Sequence, residues 1–147
     1  MSITQGILSL AILASTTSGQ FTVYNDYIAP PPRITQEMRD MTSEDIKGLI
    51  REVWGNKAHI GIAIAKCESG IRQFETNGMI LRGRQVNEDI GIMQINSYYH
   101  EDTYLRVGID VFTPEGNVTY GKYLYDSQGI QPWSASKNCW SKTLTSM

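Results

Sequence analysis

The sequence lacks the features that mark several large classes of protein. Its 13 Lys and Arg stand against 15 Asp and Glu, a formal charge of −2, and no basic run is present that would neutralise several phosphates. Nucleic acid is therefore excluded as a partner. No apolar stretch reaches the roughly 18 residues that span a bilayer, so no stable membrane insertion of the domain is expected. Cysteine and histidine are scarce: Cys67 and Cys139 lie far apart, and His59 and His100 are the two imidazoles. With no C-x-x-C pair, this spacing supports no zinc site, and no other cofactor is implied. A charge so close to zero gives no electrostatic hold on an anionic surface, so affinity for any partner must come from direct contacts.

What remains is a chain of 147 residues, 41% apolar and 19% charged, the size and balance of one globular domain. Residues 1–19 read as a signal peptide or an apolar N-terminal segment. Ile7 to Ala14 forms a short apolar core followed by small residues, although the positively charged flank that usually precedes such a core is absent, Arg33 being the first basic residue. Residues 20–40 form a linker containing the stiff run Pro30-Pro31-Pro32. The folded unit is expected over 41–140, with a tail at 141–147. Export to an oxidising compartment would pair Cys67 with Cys139 as a disulfide; the alternative is two buried thiols.

Local signals outline the elements. Thr42-Ser43-Glu44-Asp45 fits a capping box, after which Ile46, Leu49, Ile50 and Val53 recur at helical spacing until Gly55. Asn56 is positioned to cap a second helix with the apolar stripe Ile60, Ala63, Ile64 and Cys67, ending at Gly70. Asn77-Gly78 predicts a hairpin turn between short strands at Gln73–Thr76 and Met79–Arg82. Thr113-Pro114-Glu115 opens a helix expected to run to about Ser127 and stop at Gly129. The order predicts an α+β domain, mainly helical with a small β excursion.

Two segments carry candidate chemistry. Glu68 stands at the end of the apolar helix, where the negative end of the helix dipole and apolar surroundings both disfavour its charge. A carboxyl kept protonated there suits a general acid; a frayed, solvated glutamate is the plain alternative. Further on, Gly91-Ile92-Met93-Gln94-Ile95-Asn96 alternates glycine, apolar and amide residues. Gln94 and Asn96 suit sugar hydroxyls and acetamido groups, or else tie loop backbone together. Met93 either lines a groove or fills core.

Glu68-Ser69-Gly70 followed by Gly91-Ile92-Met93-Gln94-Ile95-Asn96 resembles the paired signature of the lysozyme-like superfamily, specifically the transglycosylase domain of soluble lytic transglycosylases. Ala65-Lys66, Asp89 and the Asn96-Ser97 junction are similar to c-type lysozymes. The resemblance runs from about Ser43 to Trp140. It implies a lysozyme-like α+β fold with a groove between two lobes, and a monomeric, exported bacterial enzyme of the cell envelope acting on peptidoglycan glycan strands. It implies Glu68 as the catalytic acid, with Ser69, Met93, Gln94 and Asn96 as groove residues. Tyr98, just past this segment, is a further groove candidate because an aromatic can stack on a sugar face; covering the core edge is the alternative. A disulfide between Cys67 and Cys139 would then hold the end of the catalytic helix.

Two departures bear on mechanism. The Ala-Tyr-Asn motif usual late in lytic transglycosylases is replaced by Gln131-Pro132-Trp133-Ser134-Ala135-Ser136, which has no tyrosine; Trp133 is read as core. Asp89 stands where c-type lysozymes place a second carboxylate. A lytic transglycosylase uses one glutamate twice, cleaving the MurNAc–GlcNAc β-1,4 bond and closing a 1,6-anhydro ring. A lysozyme-type hydrolase would use Glu68 and Asp89 together. Asp89 as a loop residue capping backbone N–H groups is the structural alternative. Two other readings remain: a non-catalytic wall-binding module, and a Cys–His peptidase built on Cys67 with His59 or His100.

Overall fold

A computed structural model describes residues 34–146. The apolar segment expected at 1–19 and most of the linker, residues 20–33, lie outside the described residues. The chain enters through α1 (Gln36–Arg39), capped by the Thr35 side chain. The end of the expected linker is thus a short helix.

The capping box forms as its residues dictate. Thr42 Oγ1 accepts from Asp45 N at 3.2 Å, and Asp45 Oδ2 accepts from Thr42 N at 2.8 Å. It opens α2 (Ser43–Trp54), which buries Ile46, Ile50 and Trp54 and stops at Gly55. A 3₁₀ turn, Gly55–Lys57, leads into α3 (Ala58–Ser69), which Gly70 ends in the left-handed conformation. The expectation for Asn56 is corrected: it falls inside the 3₁₀ turn, and α3 begins after Lys57 with no side-chain cap. The stripe expected on α3 is also too narrow. Gly61, Ile62, Ala63, Ile64 and Ala65 are consecutive and all buried, because α2 and α6 cover the helix from different sides.

Three helices complete the described residues: α4 (Ser97–Arg106), α5 (Pro114–Gln128), and α6 (Lys137–Thr145), which follows a 3₁₀ segment, Gln131–Ser136. α5 starts and ends where Thr113-Pro114 and Gly129 predict. No local signal predicts α4, whose cap is Asn96, one of the two candidate sugar-binding amides. α6 extends past Trp140 and buries Thr143, so most of the expected tail belongs to the packed unit.

The sheet departs most from expectation. β1 (Asp89–Ile90) and β2 (Ile95–Asn96) pair antiparallel, with Asp89 opposite Asn96 and Ile90 opposite Ile95. The Asn77-Gly78 turn is present, with Gly78 N donating to Glu75 O and Met79 N to Asn77 Oδ1. Its flanks form a single bridge, Phe74 to Ile80, instead of the expected strands. Gln73 and Phe74 are both buried, which breaks the alternation a half-buried strand needs. The molecule is thus mainly helical with a small two-stranded antiparallel sheet, an α+β arrangement.

Trp54, Trp133 and Trp140 lie in the core, and Trp54 Nε1 donates to Val118 O on α5. α3 crosses under Trp54 at Gly61, where a β-carbon would stand 2.7 Å from Trp54 Cδ2 and 2.9 Å from Ile50 Cγ2. Cys67 and Cys139 form a disulfide, Cα–Cα 5.9 Å, across 72 residues, joining the last turn of α3 to α6.

Two stability predictions follow from this packing. Alanine in place of a helical glycine gains about 1 kcal/mol from propensity, but a β-carbon at Gly61 overpacks a rigid indole at a cost of about 1–3 kcal/mol. Gly61→Ala should therefore lower the urea midpoint, with a net loss of up to about 2 kcal/mol. Closing a 72-residue loop is worth about 4 kcal/mol in the chain-entropy model. Reduction of the disulfide should lower unfolding stability by about that amount in the same measurement.

Candidate active site

Glu68 occupies the last turn of α3, directly after the disulfide-bonded Cys67. Gly70 ends the helix there in the left-handed conformation, its N–H and that of Ile71 returning to the carbonyls of Lys66 and Ala65. The side chain is half-buried. Ser136 Oγ lies 2.5 Å from Glu68 Oε1, brought there by the turn from the 3₁₀ segment into α6. Burial pushes the Glu68 carboxyl above its ordinary range, the Ser136 hydrogen bond opposes the rise, and the charge of Asp89 adds to it. Among the described residues no cation pairs with Glu68.

The segment around β1 and β2 is tied to this helix end by buried polar side chains. Ser69 Oγ stands 2.8 Å from Ile92 O and 3.0 Å from Ala65 O, and it accepts from Arg72 N. Gln73, 2% exposed, accepts from Ile92 N and donates to Val111 O and Phe112 O. Asn117 on α5 is fully buried; it accepts from Met93 N and donates to Ile90 O and Val111 O. Gly91 is needed where it stands: its φ is +65°, and a β-carbon would fall 2.2 Å from Gln73 Oε1.

The sequence candidates divide on this frame. Glu68 and Asp89 come close enough for the charge of one to bear on the other. Asp89 is half-buried on β1 and accepts from Asn96 Nδ2 at 2.9 Å. Burial raises its carboxyl, the Asn96 amide opposes the rise, and Glu88 adds to it. Asn96 also caps α4, its Oδ1 accepting from Tyr99 N. Each end of its amide thus makes one hydrogen bond within the fold, the structural role that was the alternative to sugar binding, and one N–H and one lone pair remain beyond these bonds. Ser69, 5% exposed, anchors backbone and presents no free hydroxyl to a groove. Met93 is fully buried, packed against Gly121 on α5, and its carbonyl accepts from Trp133 Nε1; it is core. Gln94 is half-buried with φ +49°, its Nε2 on Gly91 O. Tyr98 is 78% exposed and meets Tyr99 edge to face, clear of these contacts. Trp133 is 3% exposed, core as expected.

The sequence does not mark Ser136, Gln73 or Asn117 as site residues. The expected Cys67–Cys139 pairing carried a signal for Ser136, since it places the residue three positions before Cys139 near the neighbour of Cys67. Gln73 and Asn117 carry no local signal, because their partners lie 19 to 39 and 6 to 27 positions away. With both cysteines in the disulfide, the peptidase built on a Cys67 thiolate is removed. Among the described residues no group of three or more His, Cys, Asp or Glu could hold a metal ion. A concavity of about 600 Å³ lies between α1 and Ile71–Gly78, and Glu68 does not line it.

The raised carboxyl has a consequence for stability. Between the ordinary 4.5 and the higher folded value, the folded chain holds the Glu68 proton more tightly than the unfolded chain. Stability from this group is therefore lost as pH rises through that window. Glu68→Gln should be more stable than the parent at neutral pH, and the gain should vanish below 4.5, as read by urea unfolding across pH. No protein-family model, curated protein or solved structure matches the chain.

Proposed function

We propose that the protein is a lysozyme-like enzyme that cleaves peptidoglycan glycan strands at the MurNAc–GlcNAc β-1,4 bond, with Glu68 as proton donor. The observation that carries the reading is a half-buried carboxyl raised above its ordinary range at the end of an apolar helix, with no cation beside it among the described residues. Such a group holds its proton to higher pH than an ordinary carboxyl and can deliver it to a leaving glycosidic oxygen. The Glu68-Ser69-Gly70 and Gly91–Asn96 motifs, joined by the Ser69 to Ile92 hydrogen bond, support the same reading. The disulfide fits an exported, extracytoplasmic enzyme. Among the described residues no helix is long and apolar enough to cross a membrane.

In the lytic transglycosylase mechanism Glu68 acts twice. It protonates the bridging oxygen as the glycosidic bond breaks. The resulting carboxylate then takes the proton of the 6-hydroxyl of the same sugar as that oxygen bonds to C1, closing the 1,6-anhydro ring without water. One observation favours a second reading, a hydrolase: the charge of Asp89 reaches Glu68, as a second carboxyl beside the bond would. The engagement of Asp89 with Asn96 across the β1–β2 pair supports a structural part for it instead.

Mass spectrometry of muropeptides released from purified peptidoglycan tests both. Transglycosylation predicts 1,6-anhydro ends, about 10³-fold loss of release in Glu68→Gln, and anhydro ends retained by Asp89→Ala. Reducing ends, lost in Asp89→Ala, would establish the hydrolase. Release of neither kind would remove both readings.

A further inference from the structure

Ser136 has one hydroxyl hydrogen and two acceptors in reach. Its Oγ lies 2.5 Å from Glu68 Oε1 and 3.2 Å from the carbonyl oxygen of Trp133. A hydroxyl donates once and accepts through two lone pairs, so it cannot donate to both together. The protonation state of Glu68 resolves the conflict. When Glu68 is ionised, Ser136 donates to it, and the Trp133 carbonyl retains its bond from Trp140 Nε1 at 2.9 Å. When Glu68 is protonated, its O–H donates to Ser136 Oγ, and Ser136 turns its hydrogen to Trp133 O. That carbonyl has a second lone pair to receive it. Every group is satisfied in both states, and rotation about one C–O bond separates them.

We propose that Ser136 is the positioning residue of Glu68 and serves both stages of its cycle by turning its hydroxyl between the Trp133 carbonyl and the Glu68 carboxylate. The proposal rests on the reading of Glu68 as a carboxyl used first as acid and then as base. A permanent donor in this place, such as a lysine or a backbone N–H, would favour the ionised form alone and oppose the first step. A hydroxyl supports either.

The frame around the pair is rigid. Trp133, 3% exposed, is fixed by its own Nε1 on Met93 O, and the disulfide joins the neighbour of Glu68 to the helix that Ser136 leads into. Asp89 on β1 is the charged group that bears on Glu68; Lys66 on α3 and Lys137 at the start of α6 are exposed and flank the pair along the chain. No charged side chain of α2, α6 or the Gln131–Ser136 segment enters the shift of Glu68.

The test compares parent, Ser136→Ala and Ser136→Thr in peptidoglycan release across pH, and in the infrared band of the protonated Glu68 carboxyl, assigned by its absence in Glu68→Gln. Ser136→Ala should lower kcat about tenfold with KM little changed. It should also move the alkaline limb of the profile to higher pH, since the hydrogen bond that favours the carboxylate is gone. The infrared band should shift to higher frequency and persist to higher pH. Ser136→Thr, which keeps the hydroxyl, should restore rate, limb and band. A Ser136→Ala protein with parental limb and band overturns the proposal whether or not its rate falls. So does a folded Ser136→Thr that restores none of the three. If the parent releases no muropeptides, the glycan-cleaving reading fails while the infrared comparison still decides whether Ser136 partners Glu68.

Discussion

The last turn of α3 places Glu68 where its negative charge is opposed by its surroundings. Partial removal from water and the nearby Asp89 both act against ionisation. Ser136 alone among the neighbours favours the carboxylate, and it does so with a neutral hydroxyl. The surrounding packing holds this balance. The disulfide holds α6 against α3, the Trp133 and Trp140 indoles fix the carbonyl that Ser136 shares, and Ser69 ties the helix end to Ile92. A salt-bridged glutamate in this position would be a better structural element and a poorer proton donor.

The segment around β1 and β2 is held by two buried amide side chains. Gln73 and Asn117 between them hydrogen-bond the backbone of Ile90, Ile92, Met93, Val111 and Phe112. Irregular backbone that leaves water must find such partners, and long-range side chains are what a two-residue ladder cannot supply by itself. Asn117 stands in an Asn-Val-Thr sequon, yet its complete burial on α5 shows that this amide is a core strut. Gly91 fits the same scheme, because only a residue without a β-carbon admits the Gln73 amide to the Ile92 backbone.

Features written in short stretches of sequence were legible. The Thr42–Asp45 capping box, the Thr113-Pro114 helix start and the glycine stops depend on neighbours a few residues away, and each appears where expected. The disulfide and the core position of Trp133 were legible from compartment and residue size. Asn96 is ambiguous in the sequence because an amide before a serine serves equally as helix cap or ligand donor, and the cap shows only once α4 is placed. Met93 and Ser69 lie within a motif that invites a functional reading, but tertiary packing buries both. Ser136 is not legible in the sequence because the family pattern places an aromatic hydroxyl in this stretch, while here the shorter serine reaches Glu68 from the start of α6.

The protonation of Glu68 is the point on which the proposed chemistry turns, and it can be measured without substrate. Carbon-13 labelling of glutamate side-chain carboxyls, with Glu68→Gln assigning the resonance, gives the titration midpoint of Glu68 in the folded protein. A midpoint clearly above the ordinary 4.5 agrees with a proton donor kept neutral by its surroundings. A midpoint at or below that value would show a carboxylate stabilised in its charged form, and the assignment of Glu68 as the acid would be wrong.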